Sequence, residues 1–193
     1  MTPLGLALGT FTAAAGVAIA YVLLSGLIWG SGFEPVPRRQ LQYMLEVSGV
    51  GRGTRLYDLG SGFGRVVLEA AGSYGAVCVG VEIDPLKSWW SRRQAQKRSL
   101  DGRVEIRRKN LFDVDLSQAD VAFVFLFPPM LGKLRDKMLR EMPRGSVVVS
   151  YSHRFPEWEP ELSNRKRGVY LYRIPARAEA QPGGATAPAT EGT

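Results

Sequence analysis

Asp58-Leu59-Gly60-Ser61-Gly62-Phe63-Gly64 sets one carboxylate ahead of three glycines at alternate positions. A strand's length further on, Val79-Gly80-Val81-Glu82-Ile83-Asp84-Pro85 brings a second carboxylate, Glu82. Glycines so spaced let the chain turn sharply and let a ligand approach backbone that a Cβ would screen. The spacing differs from the Gly-x-Gly-x-x-Gly of dinucleotide binders. An acid closing the second strand accepts hydrogen bonds from both hydroxyls of a ribose. Asp58, beside the turn, suits an ammonium, directly or through water. Ribose and amino-acid ammonium on one molecule describe S-adenosylmethionine, with Asp58, Gly60, Ser61, Gly62, Gly64, Glu82 and the adjoining Ile83 as its candidate contacts. The competing reading has Asp58 bonding only amides of the turn. Asp84 reads as the cap of the helix that Pro85 opens.

Two further stretches are candidates for the same site. Arg108-Lys109-Asn110-Leu111-Phe112-Asp113 follows the third strand. In such a fold a polar side chain there meets the adenine amino group, so Asn110 and Leu111 join the cofactor set, while Asp113 reads equally as a turn former. The fourth strand runs into Phe125-Leu126-Phe127-Pro128-Pro129-Met130. Enzymes that methylate amino groups of nucleic acids often end this strand in Asn/Asp-Pro-Pro-aromatic. Phe127 in place of the acid or amide, and Met130 in place of the aromatic, argue against base methylation. The Phe127 carbonyl, turned outward by Pro128, is the candidate for positioning an amine acceptor; equally, the prolines simply stop the strand. One cysteine (Cys78) and one histidine (His153) exclude a disulfide framework and a Cys/His metal cluster. Cys78 lies in an apolar run and reads as core.

These residues need a scaffold, and the hydropathy pattern supplies it. Strands are expected over 55–59, 77–83, 104–108, 121–127, 146–152 and 169–174. Helices are expected over 38–47, 64–73, 86–99 and 130–140. Apolar strands alternating with helices give an α/β, Rossmann-like architecture: a mostly parallel sheet with helices on both faces. Ahead of it no charged side chain occurs before Glu34, and the stretch 4–30 is apolar or small throughout. As a helix it would be roughly 40 Å long, enough to cross the ~30 Å hydrocarbon core. It lacks the basic start and cleavage site of a signal peptide. We therefore expect residues 1–32 to be a single-pass transmembrane anchor, 33–175 the catalytic domain and 176–193 a disordered tail rich in Ala, Pro, Gly and Thr. Arg38 and Arg39 follow the stretch, which places the domain on the cytoplasmic or matrix-equivalent side.

Several features together resemble one family. They are the uncharged anchor, Phe33-Glu34-Pro35-Val36-Pro37, the Asp58 motif leading to Gly64-Arg65-Val66-Val67, Asn110-Leu111-Phe112, Asp115-Leu116-Ser117, Phe125-Leu126-Phe127-Pro128 before Leu134 and Lys137, Arg154-Phe155-Pro156 and Trp158-Glu159-Pro160. The set is similar to the membrane-anchored class I protein-lysine methyltransferases of the ATP synthase c-subunit and adenine nucleotide translocase, and to their archaeal relatives, over residues 20–173. Members commonly carry an acid where Asn110 stands and an Asp where Phe63 stands. The resemblance implies an S-adenosylmethionine-dependent protein-lysine N-methyltransferase acting on a membrane-associated protein. The alternative is a methyltransferase for a lipid, quinone or other small hydrophobic molecule.

With lysine as acceptor, the reaction is an in-line displacement by a neutral amine on the sulfonium methyl. Free lysine titrates near 10.4, so desolvation and the sulfonium charge must lower it. Phe33, Phe127, Phe155 and Trp158 are the candidate walls of the acceptor channel, with ordinary packing as their competing reading. Tyr151 and His153, just past the fifth strand, could face the acceptor; for His153 a surface or hydrogen-bonded structural role is favoured over that of a proton relay. No metal is required. The run Arg92-Arg93-Gln94-Ala95-Gln96-Lys97-Arg98 reads first as a solvated helix face. Contact with anionic headgroups is the second reading, worth about 1 kcal/mol per basic residue. Nucleic acid ranks third despite a net charge of +7, because no aromatic-basic interleaving accompanies it.

Overall fold

Extended backbone at Pro37 ends the Pro35–Pro37 break, and its carbonyl accepts the Leu41 N–H at 2.9 Å to start helix α1 (Arg38–Val47). Leu41, Met44 and Leu45 are its buried face, as the 3.6-residue periodicity requires. The computed structural model describes residues 35–176 together with Thr12, Gly16 and Tyr21. The remainder of the uncharged stretch 4–30 (expected to be an anchor), Phe33, and the segment beyond 176 (expected to be a disordered tail) lie outside the described residues. Among the described residues no helix is long and apolar enough to cross a membrane.

The chain then alternates β1 (Arg55–Leu59), α2 (Arg65–Ser73), β2 (Val77–Val81), α3 (Pro85–Lys97), β3 (Val104–Arg107), β4 (Val121–Val124), α4 (Pro128–Glu141) and β5 (Val147–Tyr151). A hairpin of β6 (Leu162–Asn164) and β7 (Val169–Arg173) closes the order. The seven strands lie as β3-β2-β1-β4-β5-β7-β6. The first five are mutually parallel; β7 runs antiparallel to β5, and β6 to β7. This is the Rossmann-like sheet expected from the sequence. Strand order reverses between β1 and β4, and such a reversal opens a crevice beyond the carboxyl ends of the strands.

Alternation along the strands divides the core in two. Leu56 joins the layer under α1, α2 and α3, with Val67, Ala71 and Ala95. Tyr57 and Leu59 face the opposite layer, filled by Leu131, Leu134 and Met138 of α4. Asp58 shares the Leu56 side by the two-residue period of a strand.

Four expectations need adjustment. The second and fourth strands end at Val81 and Val124, short of 83 and 127, because the residues beyond leave the sheet to line the crevice. Pro128 does not merely stop a strand: Pro128 and Pro129 are the first two residues of α4, where a missing N–H is no loss. β6 was not expected. The Arg92 end of the basic run is not simply solvated, since its guanidinium donates twice to the Ile106 carbonyl, at 2.8 and 3.2 Å.

Candidate active site

The turn after β1 is clamped by backbone hydrogen bonds. The N–H groups of Gly60 and Ser61 both donate to the Val81 carbonyl at 2.9 Å, and Gly64 N–H donates to Ser61 O at 2.8 Å. Gly60, Gly62 and Gly64 all have positive φ, at 91°, 53° and 77°. Gly64 is constrained twice over. It caps α2 in the left-handed region, and a Cβ there would stand 2.9 Å from Ser91 Oγ on α3. It therefore serves helix approach, and it is not among the residues lining the cavity. Gly64→Ala is expected to lower unfolding free energy by about 2–3 kcal/mol, from backbone strain plus overpacking. Denaturant titration reads this directly; a change of only a few tenths would show that the turn relaxes.

Glu82 sits just past β2, 5% exposed. Its Oε2 accepts Gly62 N–H at 2.8 Å and its Oε1 accepts Asp84 N–H at 2.9 Å. The carboxylate thus holds both loops that border it, and each oxygen retains a lone pair for a ribose hydroxyl. Asp84 caps α3 as expected, accepting from Leu86 N at 2.9 Å and Lys87 N at 3.1 Å. Tyr21 also donates its hydroxyl to Asp84 Oδ1. The buried face of α3 carries small hydroxyls: Ser88 donates to the Glu82 carbonyl and Ser91 to the Gly62 carbonyl.

Asp58 is buried, and its Oδ2 has no hydrogen-bond partner. Ser61 Oγ is likewise buried and unpartnered. Burial first, and the Glu82 charge second, push the Asp58 carboxyl up to about 7. Unsatisfied buried polar atoms are rare in native proteins and call for a missing partner. An ammonium near Asp58 is such a partner. Both residues line a cavity of about 280 Å³ at the carboxyl ends of the strands.

That cavity collects most of the expected residues. Asp58, Gly60, Ser61, Gly62, Glu82, Ile83, Asn110, Leu111 and Phe127 all line it, as do Phe63 and His153. Following the strand order, Asn110 and Leu111 bound the β3 side, and Phe127 and His153 the β4–β5 side. Asn110 Oδ1 also accepts Phe112 N–H at 3.0 Å, capping the short 3-10 turn Leu111–Asp113. The Phe127 carbonyl already accepts Met130 N–H at 3.1 Å, leaving one lone pair. Pro128 is not a lining residue.

Phe155 and Trp158 do not line the cavity. They form an aromatic cluster on Tyr172, with ring centroids 5.2 and 4.8 Å from it, and Tyr172 Oη accepts Phe155 N–H at 3.0 Å. The pull of that cluster outweighs the channel role expected from their position. Tyr151 is not among the lining residues but packs edge-on to Phe125, which is, at 4.8 Å. Cys78 is buried core, its thiol pushed up to about 12 by burial and then by Asp58, which removes it as a nucleophile.

Sequence reasoning missed other lining residues. Pro35 and Val36 come from the segment before α1, and Arg65 Nη1 fastens that segment by donating to the Val36 carbonyl at 2.8 Å. No local pattern announces such a contact. Lys87 is buried at the cavity wall, 3.6 Å from Asp84 Oδ2; its place three residues after a capping Asp was the available signal. Among the described residues no group of His, Cys, Asp and Glu is arranged to hold a metal ion.

A parallel sheet with one reversed strand near its edge, a clamped glycine turn, and two buried carboxylates facing one crevice define a class I S-adenosylmethionine-dependent methyltransferase. Comparison with known proteins narrows this. A family model, the ANTKMT methyltransferase domain, matches residues 58–162. A protein-lysine N-methyltransferase of Saccharolobus islandicus is 33% identical over 74% of this chain and 92% of its own. The human lysine N-methyltransferase of the ATP synthase c-subunit is 31% identical over 81% of this chain and 66% of its own. The chain belongs to this family of protein-lysine N-methyltransferases. Among solved structures, an RNA methyltransferase from Salinibacter ruber bound to S-adenosyl-L-homocysteine superposes with TM-score 0.72 and 34% identity, over 78% of this chain and 100% of that one.

Proposed function

We propose that this enzyme methylates the ε-amine of a lysine on a membrane-embedded or membrane-adjacent protein, and that residues 1–32 anchor it beside that acceptor. The catalytic domain then lies on the cytoplasmic or matrix-equivalent side, where Arg38 and Arg39 hold it. Support for the anchor is the uncharged stretch 4–30. Support for the acceptor comes from the human relative, named for the c-subunit of ATP synthase.

The observation that carries the lysine reading is the character of the cavity wall beyond β4 and β5. Phe125, Phe127, Met130 and His153 line it, and among the described residues no carboxylate or carboxamide stands there to grip a base amine. An apolar wall disfavours the charged form of an entering lysine and favours the neutral amine that transfer needs. The remaining lone pair of the Phe127 carbonyl can accept an N–H of that amine and orient it. Asp58 receives the cofactor's ammonium, Glu82 its ribose, Ile83 and Leu111 flank its base, and Asn110 meets the base's amino group. When bound, S-adenosylmethionine supplies an electrophilic methyl on a sulfonium. Orientation and exclusion of water account for the rest of the catalysis, without a metal.

Radiolabelled S-adenosylmethionine incubated with the enzyme and membranes of its own cell tests the reading. Label is expected in trypsin-sensitive protein and, after acid hydrolysis, in methylated lysine. Label confined to the organic extract or to RNA overturns it.

A further inference from the structure

Helix α3 is inverted relative to an ordinary surface helix. Its buried face carries Lys87, Ser88, Ser91 and Ala95, while Leu86, Trp89 and Trp90 are 44%, 56% and 44% exposed. The reason lies underneath. The helix passes so close to the glycine turn that a Cβ at Gly64 would stand 2.9 Å from Ser91 Oγ, and Ser88 and Ser91 hold the carbonyls of Glu82 and Gly62. Large apolar side chains are displaced outward, yet indoles are not what solvent exposure calls for.

At 100° per residue, Leu86, Trp89, Trp90, Arg93 and Lys97 fall on one stripe, apolar at its start and basic at its end. No acid lies on the helix. The apolar end continues to the cavity mouth, because Trp90 packs edge-on to Phe63, a lining residue, at 6.4 Å. The same end meets the N-terminal segment: Tyr21, within the uncharged stretch 4–30, donates to Asp84 at the cap of α3.

We infer that this stripe is a membrane-contact surface, which lays the first turns of α3 into the headgroup layer of an anionic bilayer and turns the cavity mouth toward it. Indoles partition to the membrane–water interface, where an apolar ring and a polar N–H are both accommodated. Arg93 and Lys97 answer the negative potential of acidic lipids. The contact of Tyr21 with Asp84 puts that residue of the uncharged stretch at the same corner of the domain. The inference deepens the proposed function and rests on its membrane setting, but the two separate experimentally.

The full chain carrying Trp29→Phe, which removes the indole of the N-terminal stretch, is reconstituted into vesicles of phosphatidylcholine with a third phosphatidylglycerol, brominated high on the acyl chains. Resistance to carbonate extraction reports the anchor alone. Quenching of the remaining indoles reports α3. Roughly a third or more of the fluorescence is expected to be quenched, falling by half or more when Leu86→Ser and Trp89→Ser are added or when phosphatidylglycerol is omitted. Chain that resists carbonate yet shows no quenching overturns the inference and leaves the anchor standing, with a protein partner or a second copy as the occupant. Carbonate-extractable chain that is still quenched on anionic vesicles supports α3 contact and refutes the anchor.

Discussion

Glu82→Ala is expected to weaken binding of S-adenosylhomocysteine by about a thousandfold or more. Two losses combine. The first is the carboxylate proposed to take both ribose hydroxyls, and charge-assisted bonds of that kind contribute roughly 1.5–3 kcal/mol each. The second is internal, because Glu82 already accepts the N–H groups of Gly62 and Asp84. Their partner gone, both amides lose their acceptor, and the Asp84 amide is left unpaired in a buried place, at about 1–3 kcal/mol. The variant should therefore also melt at a lower temperature without ligand, which a pure ribose contact would not produce. Glu82→Gln separates the two effects. Its carbonyl can serve one amide, but its NH2 opposes the other, so affinity should fall while much of the melting temperature returns. Calorimetry with S-adenosylhomocysteine reads both; unchanged affinity in Glu82→Ala would remove the ribose assignment.

Cofactor binding is also expected to be pH-dependent through Asp58, with the midpoint near its raised value of about 7. The sign follows from burial. An acid whose folded value lies above its unfolded one favours the folded state most at low pH. That contribution is complete below the unfolded value and is lost as pH rises to about 7. Ligand binding runs the other way, since an ammonium pairs with the carboxylate and not with the acid. Affinity should rise by up to about tenfold per pH unit from roughly 5.5 toward 7 and then level off. At about pH 6, close to one proton should be released per ligand bound, seen as a heat that varies with the ionisation enthalpy of the buffer. Asp58→Asn should bind weakly with the slope abolished. A wild-type affinity that is flat across this range would place the carboxylate's proton elsewhere.

The features legible in the sequence were those written locally. The glycine spacing, Glu82 at a strand end and the Asp84 cap each depend on a few adjacent residues; the cavity gathers Gly60, Gly62 and Glu82, and Asp84 caps α3. The mostly parallel α/β architecture was legible in outline because apolar runs alternate with helices. What stayed hidden depends on distant partners. Leu162-Ser163-Asn164 shows no alternation, and only its pairing with β7 makes it a strand. Phe155 and Trp158 looked like channel walls by position, but Tyr172 takes both. The exposure of Trp89 and Trp90 reflects the tight seat of α3 on the turn, a three-dimensional fact with no local signature.

Arg65 ties Val36 to the head of α2, so the segment leading from the N-terminal stretch is also a wall of the cavity. Between Gly30 and Pro35 the chain can extend only roughly 17 Å. For an enzyme anchored by that stretch there is no slack tether along which the domain can roam. On the proposal that residues 1–32 anchor the domain, the reacting end of the cavity would be held at a set height above the bilayer, and the enzyme would work as a depth gauge. On the same proposal, a lysine emerging at the lipid surface would be in range and an identical lysine further out on the same protein would be passed over.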